Sequence, residues 1–131
     1  TKNAVIISNA ILSPITPSEH GYNAKFNLEE RINELRKEAI DYSTRKSYVT
    51  TKLFFIANMI KHNTRSSREL LKALKGDPSV LATVPEKELF NRSTLDKKSL
   101  SKMAEDHKTY IDQHEFFDSM DKTFNEITEK L

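Results

Sequence analysis

The sequence predicts an all-α protein: long amphipathic helices near each end of the chain, short helices between them, and a bundle-like core. Three observations lead there. The 131 residues include only two glycines, too few for hairpin turns or a phosphate-cradling loop. Apolar residues recur at spacings of three and four along two long stretches, which is the period of a helix face. Hydrophobic residues make up 37% and charged ones 31%, a balance that suits extended helices around a thin core.

The length fits a single domain. With no cysteine, disulfides, thiol chemistry and Cys-based zinc sites are excluded, and a cytoplasmic setting is expected. The opening TKNAVIISNAILSPITP is too short and polar for a membrane span or a signal peptide, so the sequence predicts a soluble protein with no membrane partner.

Residues 1–26 read as an extended N-terminal arm, since Pro14 and Pro17 favour extended backbone and Gly21 with Asn23 marks a turn. Within it, the apolar run from Ala4 to Leu12 fits a short strand or a helical segment equally. A single helical domain then fills 27–131. Its first helix opens at Asn27, with Glu30 at capping-box spacing. An apolar stripe follows through Leu28, Ile32, Leu35, Ala39, Tyr42, Val49, Leu53, Ile56 and Ile60, interrupted at Lys46. Ser and Thr residues between Ser43 and Thr51 weaken this helix, so 27–62 is expected to be one kinked helix or two in succession.

Ser66 and Glu69 open the next helix, which carries Leu70, Leu71 and Leu74 and stops at Gly76. Asp77 and Pro78 predict a further turn or two, and Thr83, Pro85 and Glu86 a short helix through Leu89 and Phe90. Ser93 then caps a long last helix over about 94–131. Its stripe runs Leu100, Met103, His107, Tyr110, His114, Phe117, Met120, Phe124, Ile127, Leu131.

No catalytic residue, metal site or cofactor is predicted. His107 and His114 share a helix face but lie about 10.5 Å apart along it, too far to hold one ion, and His114 with Asp118 lacks a third ligand. Charge is the stronger signal. Residues 45–75 hold eight bases (Arg45, Lys46, Lys52, Lys61, Arg65, Arg68, Lys72, Lys75) against Glu69 alone, whereas 103–131 hold three bases and eight acids. A basic middle and an acidic last helix make up the formal net charge of +2.

The stretch from Leu70 to Met103 resembles helix-turn-helix proteins: RELLKALKG, TVPEKELF and NRSTLDKKSLSKM read as three helices with a tight second connection. The resemblance implies a recognition helix starting at Arg92, Ser93 and Thr94, with Lys97 and Lys98 on its exposed side. The predicted function is therefore a non-enzymatic, DNA-binding regulatory or accessory protein. Arg45, Lys52, Lys61, Arg65, Arg68, Lys72 and Lys75 would hold phosphates, and Arg92 would lie nearest the bases. The alternative is a helical adaptor, inhibitor or assembly subunit whose charge asymmetry binds another protein, with no nucleic-acid role. The seam of the last helix predicts a homodimer through Tyr110, His114, Phe117, Phe124 and Ile127.

Overall fold

The computed structural model describes residues 2–131, and it is an α/β fold, not the expected all-α bundle. The elements run α1 (Lys2–Ile7), β1 (Ala10–Ile15), α2 (Glu19–Glu38), β2 (Lys52–Ile60), α3 (Arg65–Leu74), β3 (Val80–Pro85), α4 (Glu88–Asp96), α5 (Leu100–Ala104) and α6 (His107–Lys130). The strands form one parallel sheet in the order β1-β2-β3.

The error in fold class has a physical source in β2. KLFFIANMI is apolar nearly throughout because β2 is paired on both edges and has helices on both faces. Such a strand needs no alternation, and a continuous apolar run also satisfies helical spacing. Leu53, Ile56 and Ile60 fit a helix stripe by coincidence. The shortage of glycine misleads in the same way: parallel strands are joined through helices, so no hairpin turn is needed. Where an extended arm was expected there are α1, β1 and the start of α2. Pro14 sits in β1, an edge strand of the sheet, where a missing N–H is tolerated.

The layers follow from which strand residues face which helices. Phe55 and Ala57 of β2 join Ile15, Leu70 and Leu74, with Tyr22 and Leu28 against them, so α2 and α3 cover one face. Ile56 points the other way, to Val84, Leu89, Met103, Phe116, Phe117 and Met120 of β3 and α4–α6. A third cluster, Val5, Ile32, Leu35 and Val49, ties α1 to the end of α2 where β2 begins. There the buried Thr51 hydroxyl donates to Ser8 O at 2.7 Å and to Val5 O.

Both glycines are structural. Ser18 caps α2 by accepting from Gly21 N at 2.9 Å, and a Cβ on Gly21 would fall 2.3 Å from Thr16 O. Gly76, at φ 80°, takes the left-handed turn after α3 that its position predicts.

Lys25 is the one buried lysine among the described residues, its side chain only 7% exposed. Its ammonium lies 2.6 Å from Glu29 Oε1, 3.1 Å from Asp77 Oδ2 and 5.0 Å from the Phe55 ring centroid. Burial opposes the charge, but the hydrogen bonds to Glu29 and Asp77 outweigh it and raise the Lys25 pKa. Asp77 is held below its usual value, first by the Ser79 hydroxyl and also by Lys25.

Lys25→Ala should cost about 2–4 kcal/mol in urea denaturation, below the upper range for a broken buried pair because Asp77 and Glu29 stay partly solvated; Lys25→Met, which keeps the packed stem, should cost less. The Asp77 contribution is present above its unfolded pKa of about 3.9 and should be lost as pH falls below it. That of Lys25 is present below about 10.4 and should be lost as pH rises through its raised folded pKa. Gly21→Ala should cost about 1–3 kcal/mol through overpacking.

Candidate functional site

The strands β2 and β3 finish side by side, Ile60 opposite Pro85, and Glu86 N donates to Ile60 O at 2.9 Å. Beyond that point the segments 61–64 and 85–88, Asn91 and the α6 residues 112–116 and Ser119 surround an open cleft of about 1140 Å³. A Lys61–Glu86 ion pair of 3.1 Å spans its strand side, and Lys87 Nζ lies 5.4 Å from the centroid of the Phe116 ring. The helix α6 departs from helical geometry at Gln113 (φ −131°, ψ 19°), within the cleft wall. The cleft lies outside the carboxyl ends of β2 and β3 and is lined by charged and polar side chains from three elements, which makes it a candidate ligand cleft of the chain.

β2 reaches the cleft through an irregular stretch. Its pairing with β3 shifts between Ala57 and Ile60, and Met59 there has φ 57°. That left-handed backbone is costly for a side chain that is 48% exposed and gains little burial in return.

The second candidate surface is α3. Ser67, Leu70 and Leu74 face the sheet and are buried. Arg65, Arg68, Lys72 and Lys75 are exposed, and at about 100° per residue they occupy one arc of about 80° on the opposite side of the helix axis. Arg65 is committed to Glu69, Nε to Oε1 2.7 Å. Among the described residues Arg68, Lys72 and Lys75 enter no ion pair, and no ion pair joins 45–75 to the acidic 103–131. The acids of α6 lie on the other face of the sheet.

No family model and no curated protein matches the chain. Its fold is similar to a crystal structure of a plasmid partition protein from Borrelia burgdorferi. The TM-score is 0.52 and the identity 20%, over 66% of this chain and 32% of that one. The match thus spans about a third of the partition protein's length. At this identity the likeness is one of fold.

The residues expected to bind nucleic acid are dispersed. Arg65, Arg68 and Lys72 are in α3, and Lys75 is its C-cap. Lys61 is at the cleft, paired to Glu86. Arg45 and Lys52 lie near the start of β2, at the other end of the sheet. The expected recognition helix does not form: Arg92, Ser93 and Thr94 are inside α4, not at a helix start. The Ser93 hydroxyl donates to Lys98 O at 2.5 Å and that of Thr94 to Phe90 O at 3.2 Å. Lys97 takes the left-handed C-cap of α4, and the next N-cap is Ser99. On α6, Phe117 and Ile127 are buried in the chain's own interior, while Tyr110, His114 and Phe124 remain exposed. Tyr110 donates to Asp118 Oδ1 at 3.1 Å, which raises its pKa, and stacks on Phe117. The cleft residues Asn63, Thr64, Glu86 and Asp112 were missed, because their signal is position after a parallel strand and the strands were read as helix. No helix among the described residues is long and apolar enough to cross a membrane.

Met59→Gly should relieve about 1–2 kcal/mol of left-handed strain against about 0.5–1 kcal/mol of added chain entropy, for a net gain of about 0–1.5 kcal/mol. Met59→Val should destabilise, because β-branched residues fit that conformation worst. Urea denaturation of the two variants checks both signs.

Proposed function

We propose that this chain acts in plasmid partition, as part of a DNA-contacting protein, with the exposed face of α3 on the phosphate backbone. The observation that carries the reading is the unpaired row of Arg68, Lys72 and Lys75 on a fold shared with a plasmid partition protein. A row of cations without acid partners attracts a polyanion and gives up counterions when it binds one. On this reading the chain contributes binding and no bond-making step, and contacts to bases are secondary, since Arg92 does not open a helix.

A second reading, assembly with itself or with another protein, is favoured by Tyr110, Ile111, Phe124 and Leu131, which leave apolar surface exposed along α6. The two readings are compatible, since α3 and α6 lie on opposite faces.

Duplex DNA binding, measured by anisotropy at several salt concentrations, separates them. Arg68→Ala, Lys72→Ala and Lys75→Ala should each weaken binding whatever the sequence, and each should flatten the logarithmic salt slope by about 0.9. Arg65→Ala should do less, because Glu69 already holds that guanidinium. No duplex binding at about 50 mM salt would remove the DNA reading and leave the protein-assembly one. Phe124→Glu should lower the oligomer mass in light scattering without touching the salt slope.

A further inference from the structure

The turn between α2 and β2 presents side chains for which the fold has no use. Tyr42 is 98% exposed. Arg45 and Lys46 are exposed and, among the described residues, enter no ion pair. The backbone beneath them is nevertheless fixed. The Asp41 carboxylate accepts from Ser43 N at 2.8 Å, Ser43 Oγ at 2.6 Å and Thr44 N at 3.2 Å. Asp41 N donates to Lys46 O at 2.9 Å, and Tyr48 N to Ala39 O at 2.8 Å. The bonds from Ser43 and Thr44, the Ser43 hydroxyl first, hold the Asp41 carboxyl below its usual range. Within this frame Arg45 adopts φ 57°, a left-handed conformation costly for arginine. An exposed loop closed this tightly, with an unpacked aromatic ring beside two free cations, is pre-organised to meet something.

The location narrows what that is. α2 returns against the strands, so the turn lies at the end of the sheet where β2 begins, beside the exposed Lys52. α3 also returns to that end, and its row finishes there with Lys72 and Lys75. A chain of phosphates held along α3 would therefore leave it at the end of the sheet where the turn lies.

We propose that the 41–48 turn binds single-stranded nucleic acid, with Tyr42 stacked on an unpaired base and Arg45 and Lys46 on the flanking phosphates. The inference rests on the polyanion reading of α3 and deepens it. In a duplex both faces of a base are covered by its neighbours, and a ring exposed on every side finds no π-face to meet. In a single strand each base offers one, and stacking on aromatic side chains beside cations is how such strands are held without sequence preference. The exposed aromatics of the turn, Tyr42 and Tyr48, both carry hydroxyls and have no aliphatic side chain beside them in 41–48, which makes the turn a poor membrane anchor.

The test uses the full chain and anisotropy with a labelled oligothymidylate of about 20 nucleotides and a duplex of equal length, at about 50 mM salt. Tyr42→Ala should weaken oligothymidylate binding about 5- to 100-fold and leave duplex binding unchanged, while Tyr42→Phe, which keeps the ring, should stay within about twofold of the parent. Replacing Arg45 and Lys46 by Ala should flatten the single-strand salt slope by about 0.7 for each phosphate no longer neutralised. Oligothymidylate binding that Tyr42→Ala does not alter would overturn the proposal, as would an equal loss on both nucleic acids. A Tyr42→Ala defect confined to anionic vesicles or to an acidic protein would overturn it too. Duplex binding unmoved by Lys72→Ala, with oligothymidylate binding lost in Tyr42→Ala, would remove the α3 reading and leave this proposal standing; duplex binding weakened by Lys72→Ala, with oligothymidylate binding unmoved by Tyr42→Ala, would leave only the α3 reading. Circular dichroism matching the parent confirms that the variants fold.

Discussion

The fold depends on β2 being paired along both edges and covered on both faces. Phe55 and Ala57 at its centre are almost completely buried, and no other strand among the described residues has two neighbours. Because its partners are parallel, the chain must return through a helix after β1 and again after β2, and both return helices pack on one face. That single arrangement creates both candidate surfaces. It brings the carboxyl ends of β2 and β3 together at the cleft. It also presses Ser67, Leu70 and Leu74 of α3 onto the sheet, which leaves the bases of that helix facing solvent.

Lys25 fastens this layer from the side. It belongs to α2, yet its carboxylate partner Asp77 follows α3, and its ammonium lies over Phe55 of β2. One side chain therefore links α2, the turn that follows α3 and the central strand. An ammonium in that position requires its acids, since desolvation alone would drive it neutral. Asp77 is in turn oriented by Ser79, whose N–H and hydroxyl both donate to Oδ1, at 2.9 and 2.6 Å, so the pairing is built into the turn that leads to β3.

Legibility in the sequence differed from element to element. The α3 helix was, because Leu70 and Leu74 alternate at helical spacing with Arg68 and Lys72 and Gly76 closes it. Most of the last helix was legible for the same reason, though it begins at His107, capped by Asp106, and not near Ser93, and Leu100–Ala104 form a separate turn of helix. β2 was not, since apolar residues on both faces erase the period that distinguishes strand from helix. With β2 misread, β1 and β3 had no partner and the crossover pattern could not be seen. The same misreading concealed the cleft, whereas the basic row survived because α3 was placed correctly.

The charge segregation acquires its meaning only in three dimensions. The formal net charge of +2 would suit a surface of interspersed ions, or a basic middle neutralised by an acidic helix. Neither holds: α3 lies on one face of the sheet and the α6 acids on the other, with no ion pair between the two segments among the described residues. Two helix diameters of about 10 Å each separate the outer surfaces. That exceeds the screening length of about 8 Å at physiological ionic strength, so the acids do little to weaken the field in front of α3. The unpaired bases of α3 and the acids of α6 therefore stand as separate fields on opposite faces of one sheet.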